Sequence, residues 1–108
     1  MADALRSLYE VVCDRREHKQ EGSYTCYLFE QGMDKILKKV AEEAGETIIA
    51  AKNGDNRFTA EEICDLFYHV CVLMVEAGIP YDQVQDILNT RAQKIGNLKQ
   101  FHVSDHNT

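Results

Sequence analysis

Two stretches with acids at a three-residue step, KVAEEAGE (Lys39 to Glu46) and EICDLFYH (Glu62 to His69), lie inside apolar patterns of helical period. An advance of about 100° per residue over 33–52 gathers Met33, Ile36, Leu37, Val40, Ala41, Ala44, Thr47, Ile48 and Ala51 into one stripe. Glu43 borders that stripe and Glu46 lies further out. In the following segment Ile63, Cys64, Leu66, Phe67, Val70, Cys71, Leu73, Met74 and Val75 cover most of the circumference, which predicts a helix largely buried in its surroundings. Its polar strip is narrow: Glu62, Asp65, His69 and Glu76.

Ionised carboxylates on such a helix are costly unless a cation meets them. Arg57 and nearby lysines would serve as ion-pair partners. The same E-x-x-E and E-x-x-D spacing also lets two helices build a cage of hard oxygen ligands for Mg²⁺ or Mn²⁺. Read from the residues alone, the two explanations stand side by side.

A chain of 108 residues has room for one domain. One proline, six glycines and no tryptophan favour helices over a turn-rich β fold, so the expected class is all-α, a bundle of four to five helices. A formal charge of −6 argues against a nucleic-acid or anionic-membrane surface, since both select basic patches. No apolar run approaches the roughly 18 residues that span a bilayer. Cys13, Cys26, Cys64 and Cys71 lack C-x-x-C spacing, and Cys64 and Cys71 look like small core residues. Reduced thiols and the absence of a signal-like N-terminus suit the cytoplasm.

In chain order, Ala4, Leu5, Leu8, Val11 and Val12 predict a first helix ending near His18 or Lys19. Residues 23–29 (SYTCYLF) read as a connection with about one helical turn before Gly32, a stretch of hydroxyls and aromatics suited either to covering the core or to lying along a nucleotide. Asn53-Gly54-Asp55 closes the helix over 33–52 with a turn. Thr59 then fits an N-cap with Glu62 at N3, and Phe58 and Ile63 fit a hydrophobic staple, an arrangement that would give Glu62 a capping task. Gly78 and Pro80 separate this helix, 59–78, from a last one carrying Tyr81, Val84, Ile87, Leu88, Ala92 and Ile95. One domain over 1–96 and a frayed tail over 97–108 complete the division. P-loop, dinucleotide-binding, nucleophile-elbow and H-E-x-x-H signatures are absent, and His69 reads as a core or supporting residue. Ile49 falls opposite the stripe of its helix, and a second copy of the chain is the simplest cover for so much apolar surface.

The strings SYTCYLFEQGMDKILKKV, DKILKKVAEEAGETIIAAKNGD and EEICDLFYHVCVLMVEAGI resemble the phosphoribosyl-ATP pyrophosphatases of histidine biosynthesis, within the MazG-type all-α NTP pyrophosphatase superfamily. The resemblance spans about residues 5–95; Ala41 and Gly45 depart from it, standing where glycine and alanine are expected. It implies a MazG-like bundle completed by dimerisation. It also implies Mg²⁺-dependent hydrolysis of phosphoribosyl-ATP, a small nucleotide, to phosphoribosyl-AMP and pyrophosphate. By the same resemblance Glu43, Glu46, Glu62 and Asp65 would be metal ligands, with Mn²⁺ an alternative ion. Glu42, Glu43 and Glu46 would be the catalytic acids, Glu42 binding metal or orienting water. The cyclohydrolase often fused to this activity is not expected in 108 residues. Lys35 and Lys39 suit an ion-pair ladder with the acids of their own helix or contact with phosphates, and Lys52 and Asn53 are weaker candidates for ribose or phosphates. A house-cleaning nucleoside triphosphate pyrophosphatase and a non-enzymatic helical binding module are the competing readings.

Overall fold

The computed structural model describes residues 3–94, which form five helices: α1 Ala4–Glu17, α2 Tyr24–Gln31, α3 Met33–Lys52, α4 Asn56–Ala77 and α5 Tyr81–Ala92. Ile95, the tail over 97–108 and its two histidines lie outside the described residues.

Helices α3 and α4 form an antiparallel hairpin and make the most extensive contact in the domain. Its turn is Asn53-Gly54-Asp55, where Gly54 adopts φ +75°, a conformation that suits a residue without Cβ. Asp55, not Thr59, caps α4: its carboxylate accepts from the Phe58 amide at 2.9 Å, and Thr59 sits inside the first turn, donating to the Asp55 carbonyl at 2.7 Å. An aspartate is at least as good a cap as a threonine, and it comes first along the chain. Glu62 is thereby released from the capping role that its spacing had suggested.

The segment 24–31 is a full eight-residue helix rather than a connection. Its aromatic and β-branched residues are only moderate helix formers. Ser23 starts the helix by accepting from the Cys26 amide at 3.2 Å, and tertiary burial of Cys26 and Leu28 holds it in place. Gly32, at φ +91°, both ends α2 and begins α3, which makes the corner sharp. At the far end of α4, Gly78 at φ +77° closes a Schellman motif: its amide bonds the Val75 carbonyl at 3.1 Å and the Ile79 amide bonds the Met74 carbonyl at 2.8 Å. Helix α5 has no buried residue and is tied to α1 through polar contacts. Arg6 bonds Asp82 at 2.6 Å and lies 4.7 Å over the Tyr81 ring, while the Tyr9 hydroxyl donates to the Ile79 carbonyl at 2.8 Å.

The core is formed by Val12, Leu28, Ile36, Cys71 and Val72, with Leu5, Leu8, Phe29 and Tyr68 packed against it. It occupies the end of the hairpin away from the turn, where α1 and α2 lie against α4 and α3. On α3 the inward line is Ile36, Glu43 and Ala50, a seven-residue step suited to one antiparallel neighbour. The expected stripe is therefore rotated: Leu37, Ala41, Ile48 and Ala51 are exposed, Ile48 by 64%. On α4, Ile63, Cys64 and Phe67 are likewise exposed, while Glu62 and His69 of its polar strip are buried. Cys64 is thus not a core residue, although Cys71 is. Both helices carry a wider apolar arc than the neighbouring described helices cover, so the packing leaves greasy residues outside and turns carboxylates inward.

Candidate active site

Glu43 and Glu46 lie in the second half of α3, Glu62 and Asp65 in the first half of α4. The hairpin sets these halves beside one another, toward the turn and beyond the apolar core. Carboxylate oxygens of Glu43, Glu62 and Asp65 all fall within 4.8 Å of each other. Glu43 and Glu62 are only 7% and 6% exposed, whereas Asp65 opens to solvent. One oxygen of each buried pair member, Glu43 Oε2 and Glu62 Oε2, has no hydrogen-bond partner. Buried polar atoms are rarely left so, because each costs the desolvation of an unsatisfied group.

Electrostatic crowding shows in the Glu62 carboxyl, which is pushed up to about 7. Hydrogen bonding to the Glu46 carboxyl is the leading cause, followed by burial and by the charges of Glu46, Glu43 and Asp65. Neighbouring acids, more than removal from water, raise it. Glu46 is itself exposed and acts on Glu62 from the edge of the cluster, whose converging oxygens are those of Glu43, Glu62 and Asp65.

Lys39 supplies partial compensation. Its Nζ lies 3.4 Å from Glu42 Oε1 and 3.8 Å from Glu43 Oε1. Burial works against its charge, yet Tyr24, Glu42 and Glu43 together hold its pKa above the usual lysine value. The ladder expected of Lys39 is therefore present, with Glu42 as the nearer acid. Among the described residues no other lysine or arginine forms an ion pair with Glu43, Glu46, Glu62 or Asp65; Arg57 pairs with Glu61 instead. One ammonium against four carboxylates leaves negative charge unbalanced. An all-oxygen donor set with two orphaned buried oxygens suits a hard divalent cation of the Mg²⁺ or Mn²⁺ type. Lys35 makes no ion pair among the described residues, and Lys52 and Asn53 are exposed at the end of α3, six and seven residues beyond Glu46.

A neighbouring hydrogen-bond chain had only a faint sequence signal, a histidine four residues after Asp65 on the same polar strip. His69 Nδ1 donates to the Asp65 carbonyl at 2.7 Å, leaving Nε2 to accept from the Tyr24 hydroxyl at 3.0 Å. Tyr68 and Thr25 join their hydroxyls beside it. These bonds tie α2 to the helix that bears Glu62 and Asp65.

Carboxylates brought together at three-residue steps from two antiparallel helices, in a domain whose described residues form no strand, define the class as an all-α pyrophosphohydrolase. The chain belongs to the phosphoribosyl-ATP pyrophosphohydrolase family, whose sequence model matches residues 5–92. The phosphoribosyl-ATP pyrophosphatase of Clostridium novyi (strain NT) is 50% identical over 97 residues, covering 90% of this chain and 88% of the relative. That of Clostridium botulinum (strain Kyoto / Type A2) is 53% identical over the same shares of each. The histidine biosynthesis bifunctional protein HisIE of Thermoanaerobacter pseudethanolicus is 55% identical over 85 residues, 79% of this chain and 39% of that longer protein. None of the described helices is long and apolar enough to cross a membrane.

Proposed function

We propose that the chain hydrolyses phosphoribosyl-ATP to phosphoribosyl-AMP and pyrophosphate, with Glu43, Glu46, Glu62 and Asp65 holding Mg²⁺, or Mn²⁺ in its place. The observation that carries this is the convergence of Glu43, Glu62 and Asp65 with two unpartnered buried oxygens, in a chain of this family. Water attacks the anhydride joining the α and β phosphates: its oxygen bonds the α phosphorus, the bond from that phosphorus to the bridging oxygen breaks, and the proton of the attacking water passes to solvent. Pyrophosphate leaves with the bridging oxygen's electron pair.

A bound divalent cation supplies Lewis-acid neutralisation of that departing charge. The protein's own groups do the rest. Four carboxylates give an acidic chain a means of holding a polyanion through intervening cations. Glu42, solvent-exposed and anchored by Lys39, is the acid we assign to orienting the water. Lys39 and, further out, Lys35 face the phosphates; Lys52 and Asn53 at the hairpin end are assigned a lesser part in holding ribose or phosphate. A soluble nucleotide substrate suits a cytoplasmic enzyme. Pyrophosphate release in Mg²⁺ from phosphoribosyl-ATP, measured beside a panel of canonical and damaged nucleoside triphosphates, tests the assignment. A strong preference for phosphoribosyl-ATP is expected, and equal or better turnover of the panel would turn the reading toward a house-cleaning pyrophosphatase.

We further assign the exposed flank of the hairpin to a homodimer interface. Leu37, Ala41 and Ile48 share one face of α3, and Ile63 and Phe67 stand one turn apart on α4, all exposed in the protomer. A lone domain seldom leaves such surface to water. Ile48→Lys combined with Phe67→Lys is expected to shift sedimentation from dimer to monomer, and an unchanged sedimentation coefficient would remove this flank as the interface.

A further inference from the structure

A cleft of about 520 Å³ opens beside α2, outside the acid cluster, with Lys19, Gln20, Gly22, Ser23, Tyr24 and Tyr27 among its lining residues. Tyr24 stands between the two places. It is among the residues that line the cleft, and its hydroxyl reaches His69, which is bonded in turn to the Asp65 carbonyl. Lys39 and Glu43 also act electrostatically on that hydroxyl. The cleft is therefore linked through Tyr24 and His69 to the backbone of the helix that bears Glu62 and Asp65.

The Tyr24 side chain is held from several directions. The Tyr24 ring stacks on Tyr68 at 6.1 Å between centroids and 29° between planes, and meets His69 edge-on at 5.8 Å. On its other neighbour, Tyr27, it stacks at 6.1 Å and 25°. Both rings are open to solvent, 45% and 42% exposed. Tyr24 is stacked between Tyr68 and Tyr27, whereas Tyr27 has one ring neighbour only; its other face, left in water beside a polar cleft, is suited to a flat aromatic ligand, because stacking there needs no reorganisation and tolerates any base. Gln20, also at the cleft, carries a carboxamide with both donor and acceptor, the groups that complement the edge of a purine. A volume of this size falls within the range of small-molecule sites.

We propose that this cleft receives the adenine of the nucleotide substrate, stacked on the face of Tyr27 turned away from Tyr24, an inference that rests on the phosphoribosyl-ATP reading above. The Tyr24 to His69 hydrogen bond then sets the position of the base face relative to the acid-bearing helix. Tyr27 is the residue to test, since it is exposed and takes no part in the buried hydrogen bonds. Tyr27→Ala is expected to raise KM for phosphoribosyl-ATP about tenfold, the scale of one lost base-stacking partner. It is expected to weaken competitive inhibition by adenosine by a similar factor, and to leave inhibition by Mg²⁺-pyrophosphate unmoved. Tyr27→Phe, which keeps the ring, should restore wild-type values. The inference is overturned if adenosine does not inhibit the wild-type enzyme, if Tyr27→Ala leaves KM unchanged, or if pyrophosphate inhibition weakens to the same extent as adenosine inhibition. Wild-type turnover of phosphoribosyl-ATP is scored separately, so loss of the base site and loss of the assigned activity give different results.

Discussion

Asp65→Asn and Glu62→Gln each lower pyrophosphate release from phosphoribosyl-ATP by at least about a hundredfold, the scale on which loss of one group stabilising transition-state charge is felt. The two amides keep the size and shape of the acids they replace, and neither position caps a helix, so far-ultraviolet circular dichroism should remain that of the wild type. The expected loss has a physical basis in the cluster. Glu43, Glu62 and Asp65 approach within 4.8 Å, and replacing one charged oxygen donor by a neutral amide weakens the grip on a divalent cation. Glu61→Gln is the matched control, since Glu61 is exposed on the same helix and pairs with Arg57. Activity near the wild-type level in both Asp65→Asn and Glu62→Gln, with folding intact, would remove these acids from the mechanism.

The second large effect links metal, proton and stability. Glu62 holds its proton in the folded protein up to about pH 7, against an ordinary value of 4.5 in the unfolded chain. Below the ordinary value both states are protonated and the group contributes no pH dependence. Between the two values the folded state binds the extra proton, so stability falls as pH rises, and the loss is complete once the pH exceeds about 7. In the absence of metal, the wild type should therefore lose Tm relative to Glu62→Gln between about pH 5 and pH 8. Added Mg²⁺ reverses the sign, because cation binding requires the ionised carboxylates and releases the proton. At magnesium a hundred times its Kd, binding to the folded state alone adds about 2.7 kcal/mol. For a domain of this size that corresponds to a rise on the order of 10 °C in Tm. Differential scanning calorimetry should find this rise larger near pH 8 than near pH 5.5 in the wild type, and much reduced in Glu62→Gln. A Tm indifferent to Mg²⁺ at both pH values would mean that the carboxylates do not form a cation site.

The hairpin was legible in the sequence because its signals are local. The apolar period over 33–52 ends at a glycine-containing turn, and α3 spans those same residues, Met33–Lys52. Gly78 ends α4 near where its position predicts, because a left-handed residue satisfies the last carbonyls wherever it falls. The start of α4 was less legible. Two capping residues, Asp55 and Thr59, stand four apart, and spacing does not reveal which carboxylate or hydroxyl captures an amide. Helix α2 escaped recognition because its helical state depends on burying Cys26 and Leu28 against other segments. Three-residue spacing marked the acids themselves. That Glu62 belongs with Glu46 and Glu43, and not with the cap at Thr59, follows only from where α4 begins.

From its residues alone the chain is committed to helices with acids on adjoining faces, since hydrogen bonding within a turn and side-chain period act over a few positions. Tertiary structure alone decided the rotation of α3 and α4 about their axes. That rotation puts Ile48 and Phe67 in water and Glu43 and Glu62 inside, an outcome the amphipathic pattern by itself does not predict. The physical reason is distance along the chain: Glu43 and Glu62 are nineteen residues apart, so only the packing of one helix on the other can bring their oxygens together.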